Sequence, residues 1–209
     1  MGMRGHIRQI TPAELQEFQK NPKSIKKTIQ GKTRKNMVAM MATLDRLKPM
    51  AEELRARNLS PEEQAKAREE MLKELSAVGA GFGIGLNENG LNLEKSWHVL
   101  HFLLTGEAEE AQPPLGNAIL GGKEIGDDLG YGPARFLTPQ QVQEVASALA
   151  SMKKEDLASR FNLDAMIKAQ IYPVRDESEL ELAQEYFEDL SRYYADAAVA
   201  GNAMLLYVV

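Results

Sequence analysis

The chain of 209 residues contains no cysteine, which excludes disulfide bonds, thiolate zinc sites and thiol catalysis. It also has no long apolar run behind a basic N-terminal end, so we expect no secretory signal. No segment has the apolar length that a bilayer-spanning helix needs, and we expect a cytoplasmic protein without a membrane partner. Its 44% hydrophobic and 26% charged residues are typical of a folded globular protein.

Aromatic residues are few, at 6% of the chain, and the most basic stretch has none. Residues 23–57 hold ten Lys and Arg against three acidic residues, a local charge of +7, whereas residues 91–209 hold nine against nineteen, a local charge of −10. The basic stretch is either a solvated helical face or a surface for an anionic partner. Because it lacks aromatic stacking platforms, nucleic acid is not the partner we expect.

Three predicted helices begin with the same local chemistry, a hydroxyl residue followed by proline and then by Glu or Gln. These starts lie at Thr11, Ser60 and Thr138. The hydroxyl and the Glu or Gln side chain together satisfy backbone amides that the first helical turn leaves unpaired. Ahead of the first start, residues 3–10 are predicted to form a strand of the sheet, with Ile7 and Ile10 as its apolar positions.

Downstream, residues 134–137 are predicted to form a short strand, and a long helix is predicted from Ser178 to Gly201. The apolar run 203–209 is predicted to be a central strand covered on both faces. Residues expected to point inward from the long helix are Leu182, Tyr186, Leu190, Tyr193 and Ala197.

Residues 23–90 are predicted to form a helical insertion. Within it, Met37, Met40 and Met41 recur at helical spacing, which indicates the buried face of a helix or, alternatively, an adaptable groove. The glycine run at 79–85 and the segment 121–124 both depart from nucleotide-loop patterns, so no cofactor is implied. Together these elements predict an α/β fold bordering on α+β, with one helix-rich domain over residues 1–209 around a small mixed sheet.

The segment from Trp97 to Gly106 is the most informative part of the sequence. Apolar side chains cover most of its helical circumference, and His98 and His101 occupy the remaining gap. Such a helix is predicted to be interior, so both rings need polar partners. Each ring either bonds to a backbone carbonyl or carboxylate, or serves as a catalytic acid or base.

A metal ion is a weaker alternative for this histidine pair. Positions three apart share a helical face, and Glu124, Asp127 or Asp128 could supply a third ligand. The spacing alone is unspecific, and the glutamate of the H-E-x-x-H zinc motif is absent. We therefore predict no metal site.

A second group of residues suggests a ligand pocket near the same helix. Its candidates are Trp97, Tyr131, Arg135 and Tyr172, with Asp127 and Asp128 nearby in sequence. Arg135 could hold a carboxylate or phosphate through two parallel hydrogen bonds. The alternative is that Arg135 pairs with Asp127 or Asp128 and that the surrounding glycines only shape turns.

Three segments resemble the YfbM-like family of small bacterial proteins: WHVLHFLLTG at 97–106, PLGNAILGG at 114–122 and GYGPARFLTP at 130–139. The opening Met-Gly-Met, the Ile-Tyr-Pro turn at 171–173 and the closing helix, glycine and strand are also similar. The resemblance covers nearly the whole chain except residues from about 23 to 90. It implies a compact α/β core with helices about a small sheet, and it implies no activity or catalytic residues.

Two functions therefore remain open. The first is a binding or interaction protein with a polar pocket beside the 97–106 helix, which takes a protein or a small acidic ligand. The second is an enzyme with His98 or His101 as general acid or base and Arg135 as the clamp for a small anionic substrate.

Overall fold

The computed structural model describes residues 2–29, Asp45, Lys48 and 90–209. The chain divides into two compact units, Met1–Lys26 with Gly90–Val209, and Lys27–Asn89. The elements given below, and their numbers, refer to the described residues, and all lie in the first unit apart from residues 27–29.

Several predictions for the N-terminal half lie outside the described residues. They are the helix start at Ser60, the methionine stripe and the glycine run at 79–85. The helical insertion over 23–90 stays a prediction.

Five strands form one sheet. They are β1 (Gly5–Ile10), β2 (Leu91–Glu94), β3 (Lys123–Asp128), β4 (Pro133–Leu137) and β5 (Ala203–Val208). Their order is β2-β1-β5-β4-β3, and each neighbouring pair is antiparallel. The sequence predicted a mixed sheet. The observed sheet differs because β3 and β4 form a hairpin, which is antiparallel by construction, and β5 returns antiparallel between β1 and β4.

Six helices accompany the sheet. They are α1 (Pro12–Lys20), α2 (Trp97–Thr105), α3 (Pro139–Ala150), α4 (Lys154–Arg160), α5 (Leu163–Lys168) and α6 (Ser178–Val199). Leu115–Ala118 forms a 3-10 turn, and residues 24–29 are also helical. α6 packs against α2, α3 and α4. The predicted helix-rich fold class is confirmed, in its α+β form.

The main core lies between these helices and one face of the sheet. Ile7, Leu137, Met204 and Leu206 contribute from that face. α1 packs beside β1 and β3, with Leu15 and Phe18 buried. β5 is the middle strand, and its first five residues are buried, as its apolar composition predicts for a strand covered on both faces.

The structure confirms the two helix starts that it describes. Thr11 and Thr138 each accept a hydrogen bond from the third helical amide, and Glu14 and Gln141 bond back to the cap amides. In α6, the predicted inward residues are buried except for Leu182, which is 41% exposed. The buried stripe of α6 is centred on Ala183, Leu190 and Ala197, so Leu182 falls at its edge.

Candidate functional site

A cavity of about 850 Å³ is lined in part by the adjoining ends of two neighbouring strands of the sheet. β4 pairs with β5 from Leu137 to Arg135, opposite Met204 to Leu206, whereas β5 continues to Val208. Pro133 begins β4 and has no N–H with which to extend the ladder. The last residues of β5 and the first residues of β4 therefore both line the cavity.

The start of α2, the loop after it, the segment before β3 and the turn at 170–172 complete the walls. The polar and aromatic lining residues are Trp97, His98, Glu107, Glu109, Glu110, Glu124, Tyr131, Arg135, Gln170, Tyr172 and Tyr207.

The structure brings five of the predicted site residues to this cavity: Trp97, His98, Tyr131, Arg135 and Tyr172. The other three, His101, Asp127 and Asp128, are absent from its lining. Both aspartates are exposed at the end of β3, and the Asp128 carboxylate accepts a hydrogen bond of 2.5 Å from the Gly130 amide. Asp128 therefore stabilises the turn between β3 and β4.

Trp97 begins α2 and packs directly against β1. A Cβ atom at Gly5 would lie 2.4 Å from the Trp97 Cβ, so this close approach requires glycine. One face of the indole stacks on the His98 ring, with centroids 4.7 Å apart and planes 7° apart. Six of the nine residues of α2 are buried, which confirms the predicted interior helix.

His98 joins two walls of the cavity. Its Nδ1 accepts a hydrogen bond of 3.0 Å from the Tyr172 amide, which requires that Nδ1 carry no proton. Its Nε2 therefore carries the proton and donates to the Ala108 carbonyl at 2.7 Å. Burial lowers the pKa of His98, and the Ala108 carbonyl and the Glu109 charge oppose that shift. The ring is thus neutral, with both nitrogens engaged.

His101 is fully buried one turn further along α2. Its Nε2 donates to the Glu109 carbonyl at 2.5 Å, and its Nδ1 has no partner among the described residues. Burial lowers the pKa of His101 to about 4. The two histidines therefore hold the consecutive carbonyls of Ala108 and Glu109 in the loop after α2. Bonding of each ring to a backbone carbonyl was one of the two roles that the sequence left open.

Arg135 lies on the cavity wall, and both terminal nitrogens of its guanidinium have partners within the protein. One terminal nitrogen donates to the Leu120 carbonyl, and the other lies 3.2 Å from a Glu124 carboxylate oxygen. Arg135 and Glu124 are direct partners across β3 and β4, so their side chains emerge on the same face of the sheet. The sequence alternative named Asp127 or Asp128 as the partner, whereas the strand register selects Glu124.

Carboxylates dominate the charge of the described lining. Glu107, Glu109, Glu110 and Glu124 contribute four negative charges, against the single guanidinium of Arg135. All four glutamates are exposed to solvent. The cavity therefore presents a negative rim.

The acidic loop 107–110 and Val208 line the cavity but were not among the site residues predicted from the sequence. The run Glu107-Ala108-Glu109-Glu110 directly follows the glycine that ends α2, which was a usable signal for charge next to the histidine helix. Within residues 2–29 and 90–209, no three histidine, aspartate or glutamate side chains converge as a metal site would require. Within the same ranges, no helix combines the length and apolarity needed to cross a membrane.

Comparison with known proteins gives a family and a solved structure without an assigned function. The crystal structure of YfbM from Escherichia coli, a protein of unknown function, is 24% identical to this chain. The match covers 68% of this chain and 92% of the YfbM chain, with a TM-score of 0.49. No curated protein matches the chain.

The family model of a domain of unknown function, DUF1877, matches residues 1–207. The family resemblance seen in the sequence is confirmed. The chain belongs to the DUF1877 family.

Proposed function

We propose that this protein is a binding protein whose cavity beside α2 takes a ligand with a positively charged group. The observation that carries the proposal is the charge of the lining: four glutamates face one arginine, and that arginine is already bonded to Glu124 and the Leu120 carbonyl. A cation entering the cavity meets uncompensated negative charge, whereas an anion is repelled. We therefore favour a basic ligand over the acidic ligand expected from the sequence.

The size and lining of the cavity support a ligand of small-molecule or short-peptide dimensions. A volume of about 850 Å³ lies within the range of ligand pockets. Tyr131 is 56% exposed and offers an accessible ring for the apolar part of a ligand. Trp97 and Tyr207 are less available as ring platforms because they stack on His98 and His6.

Acid–base catalysis has less support from the same geometry. A general acid or base needs a ring nitrogen within hydrogen-bond reach of the substrate. His98 uses both nitrogens within the protein, and His101 lies outside the cavity lining. Binding is therefore the function that the arrangement supports best.

The fluorescence of Trp97 provides a direct test, because it is the only tryptophan in the chain and lines the cavity. The full chain is titrated with n-butylammonium chloride and with sodium butyrate, which both have an unbranched four-carbon skeleton and differ in charge. We expect saturable binding of the amine and none of the carboxylate at matched ionic strength.

A charge-removal variant then locates the binding. Replacing Glu107, Glu109 and Glu110 together by glutamine keeps the backbone carbonyls that His98 and His101 bond. We expect amine affinity to fall about tenfold in this variant. Glu17→Gln on α1 is the matched control and should bind as the wild type does, since Glu17 is exposed and outside the lining. Unchanged amine affinity in the triple variant would contradict the proposal.

A further inference from the structure

We infer that Gln170 contacts the bound cation through its side-chain amide and that this cation is a protonated amine rather than a quaternary ammonium group. This inference rests on the proposed function and adds the chemical class of the charged group. Its basis is the combination of a strained backbone and a free side chain at one position of the cavity wall.

The backbone of Gln170 has the left-handed conformation, with a φ of 58°. Gln170 lies just after α5, where its N–H donates to the Ile167 carbonyl and the Ile171 N–H donates to the Met166 carbonyl, both at 3.0 Å. Helices that end with this pair of bonds most often have glycine at the left-handed position, because a Cβ atom disfavours that conformation. Glutamine at this position therefore lowers stability relative to glycine.

Glu94 shows what such a residue does when its role is structural. Within residues 2–29 and 90–209, it is the other non-glycine residue with a positive φ, of 47°. Its carboxylate accepts a hydrogen bond of 2.6 Å from Asn92 and lies 2.9 Å from the Arg4 guanidinium. The strained conformation of Glu94 thus accompanies a side chain that is engaged within the protein.

The side chain of Gln170 has no such engagement. It is exposed, lines the cavity and makes no hydrogen bond to any described residue. Strained non-glycine residues occur preferentially where a side chain contacts a ligand. The cavity wall therefore gives the Gln170 side chain a role that its internal contacts do not.

The surrounding bonds fix the backbone of Gln170 and leave its amide free. The Ile171 bond ties the turn to α5, and the Tyr172 amide ties it to α2 by donating to the His98 Nδ1 at 3.0 Å. The oxygen of a side-chain amide accepts hydrogen bonds. A protonated amine can donate to this oxygen, whereas a quaternary ammonium group has no N–H. The amide thus distinguishes two cations that the carboxylates of the rim attract through the same charge.

The experiment compares n-butylammonium chloride with n-butyltrimethylammonium chloride on the full chain, by Trp97 fluorescence. The two probes share their charge and their alkyl chain. We expect the wild type to bind n-butylammonium about fivefold more tightly. Gln170→Met keeps the length of the side chain and removes the amide, so n-butylammonium affinity should fall to about that of the trimethylated probe. Gln16→Met, exposed on α1 and outside the lining, is the matched control and should bind both probes as the wild type does.

A glycine variant separates ligand contact from a structural role. Gln170→Gly relieves the left-handed conformation, so we expect its urea midpoint to rise. Its n-butylammonium affinity should nevertheless fall as in Gln170→Met. A residue that only ended α5 would not combine a more stable protein with weaker binding.

The outcomes separate this inference from the proposed function. If the wild type binds both probes equally, or if both Gln170 variants bind n-butylammonium as tightly as the wild type, the inference is overturned and cation binding stands. If neither cation binds the wild type, both the inference and the proposed function fail.

Discussion

Arg135 and Glu124 lie directly opposite each other across β3 and β4 and form an ion pair of 3.2 Å within the cavity wall. In the proposed function this pair disfavours an anionic ligand, because the Glu124 carboxylate offsets the guanidinium charge that an anion would need. The three glutamates of the loop after α2 then remain without an opposite charge in the described lining.

Removing the Glu124 charge should make the cavity more receptive to anions. Glu124→Gln frees the outer nitrogen of Arg135, so we expect butyrate binding to become measurable and n-butylamine affinity to fall by about fivefold. Titrations followed by Trp97 fluorescence measure both, with Glu17→Gln as the matched control. Unchanged affinities for both probes in a folded Glu124→Gln protein would contradict this account of the charge.

Replacing His98 should release both walls that it joins. His98→Ala leaves the Tyr172 amide and the Ala108 carbonyl without this partner. We therefore expect the free energy of unfolding, measured with urea, to fall by about 3 kcal/mol. His98→Asn retains an acceptor near the Nδ1 position, and His98→Gln retains a donor near the Nε2 position. Each of these should recover part of the loss, whereas wild-type stability in His98→Ala would refute the bridging role.

The buried ring of His101 should make the fold sensitive to mild acid. Burial lowers its pKa from 6.5 to about 4 in the folded protein, so the unfolded chain binds this proton first as pH falls. The stability that the neutral His101 ring contributes is fully present above pH 6.5. That contribution should fall by about 3 kcal/mol as the pH drops from 6.5 to 4. His101→Gln does not titrate, and its stability measured by urea unfolding should fall less steeply over that window. Equal slopes for the two proteins would argue against a neutral, buried His101.

The contact between Gly5 and Trp97 should tolerate no added methyl group. In Gly5→Ala the new Cβ would lie 2.4 Å from the Trp97 Cβ, so α2 or β1 must shift. We expect the free energy of unfolding, measured by heat or urea, to fall by about 2 kcal/mol and the Trp97 emission spectrum to change. Wild-type stability together with an unchanged spectrum would show that this packing is looser than the structure indicates.

Local chemistry allowed much of the fold to be predicted from the sequence. The caps at Thr11 and Thr138 depend on residues within one turn, and the burial of α2 and β5 follows from their continuous apolar composition. Leu182 was misplaced because it lies at the edge of a broad stripe, where helical spacing does not decide burial.

The site was harder to predict because its charge depends on strand register and long-range packing. Asp127 and Asp128 are closer to Arg135 in sequence, but the pairing of β3 with β4 places Glu124 opposite it. The loop bearing Glu109 joins the cavity because His98 and His101 hold its backbone carbonyls. The sequence therefore indicated most of the aromatic and basic lining residues, whereas the net negative charge of the lining became evident only from the structure.

The most direct test of the central claim is NMR mapping of the full, isotope-labelled chain with n-butylammonium chloride and sodium butyrate. The account predicts that the amine perturbs the amides of Ala108, Glu109 and Tyr172 and the indole of Trp97, whereas butyrate leaves them unchanged. Butyrate perturbing these signals while the amine does not would contradict a cavity that selects positive charge.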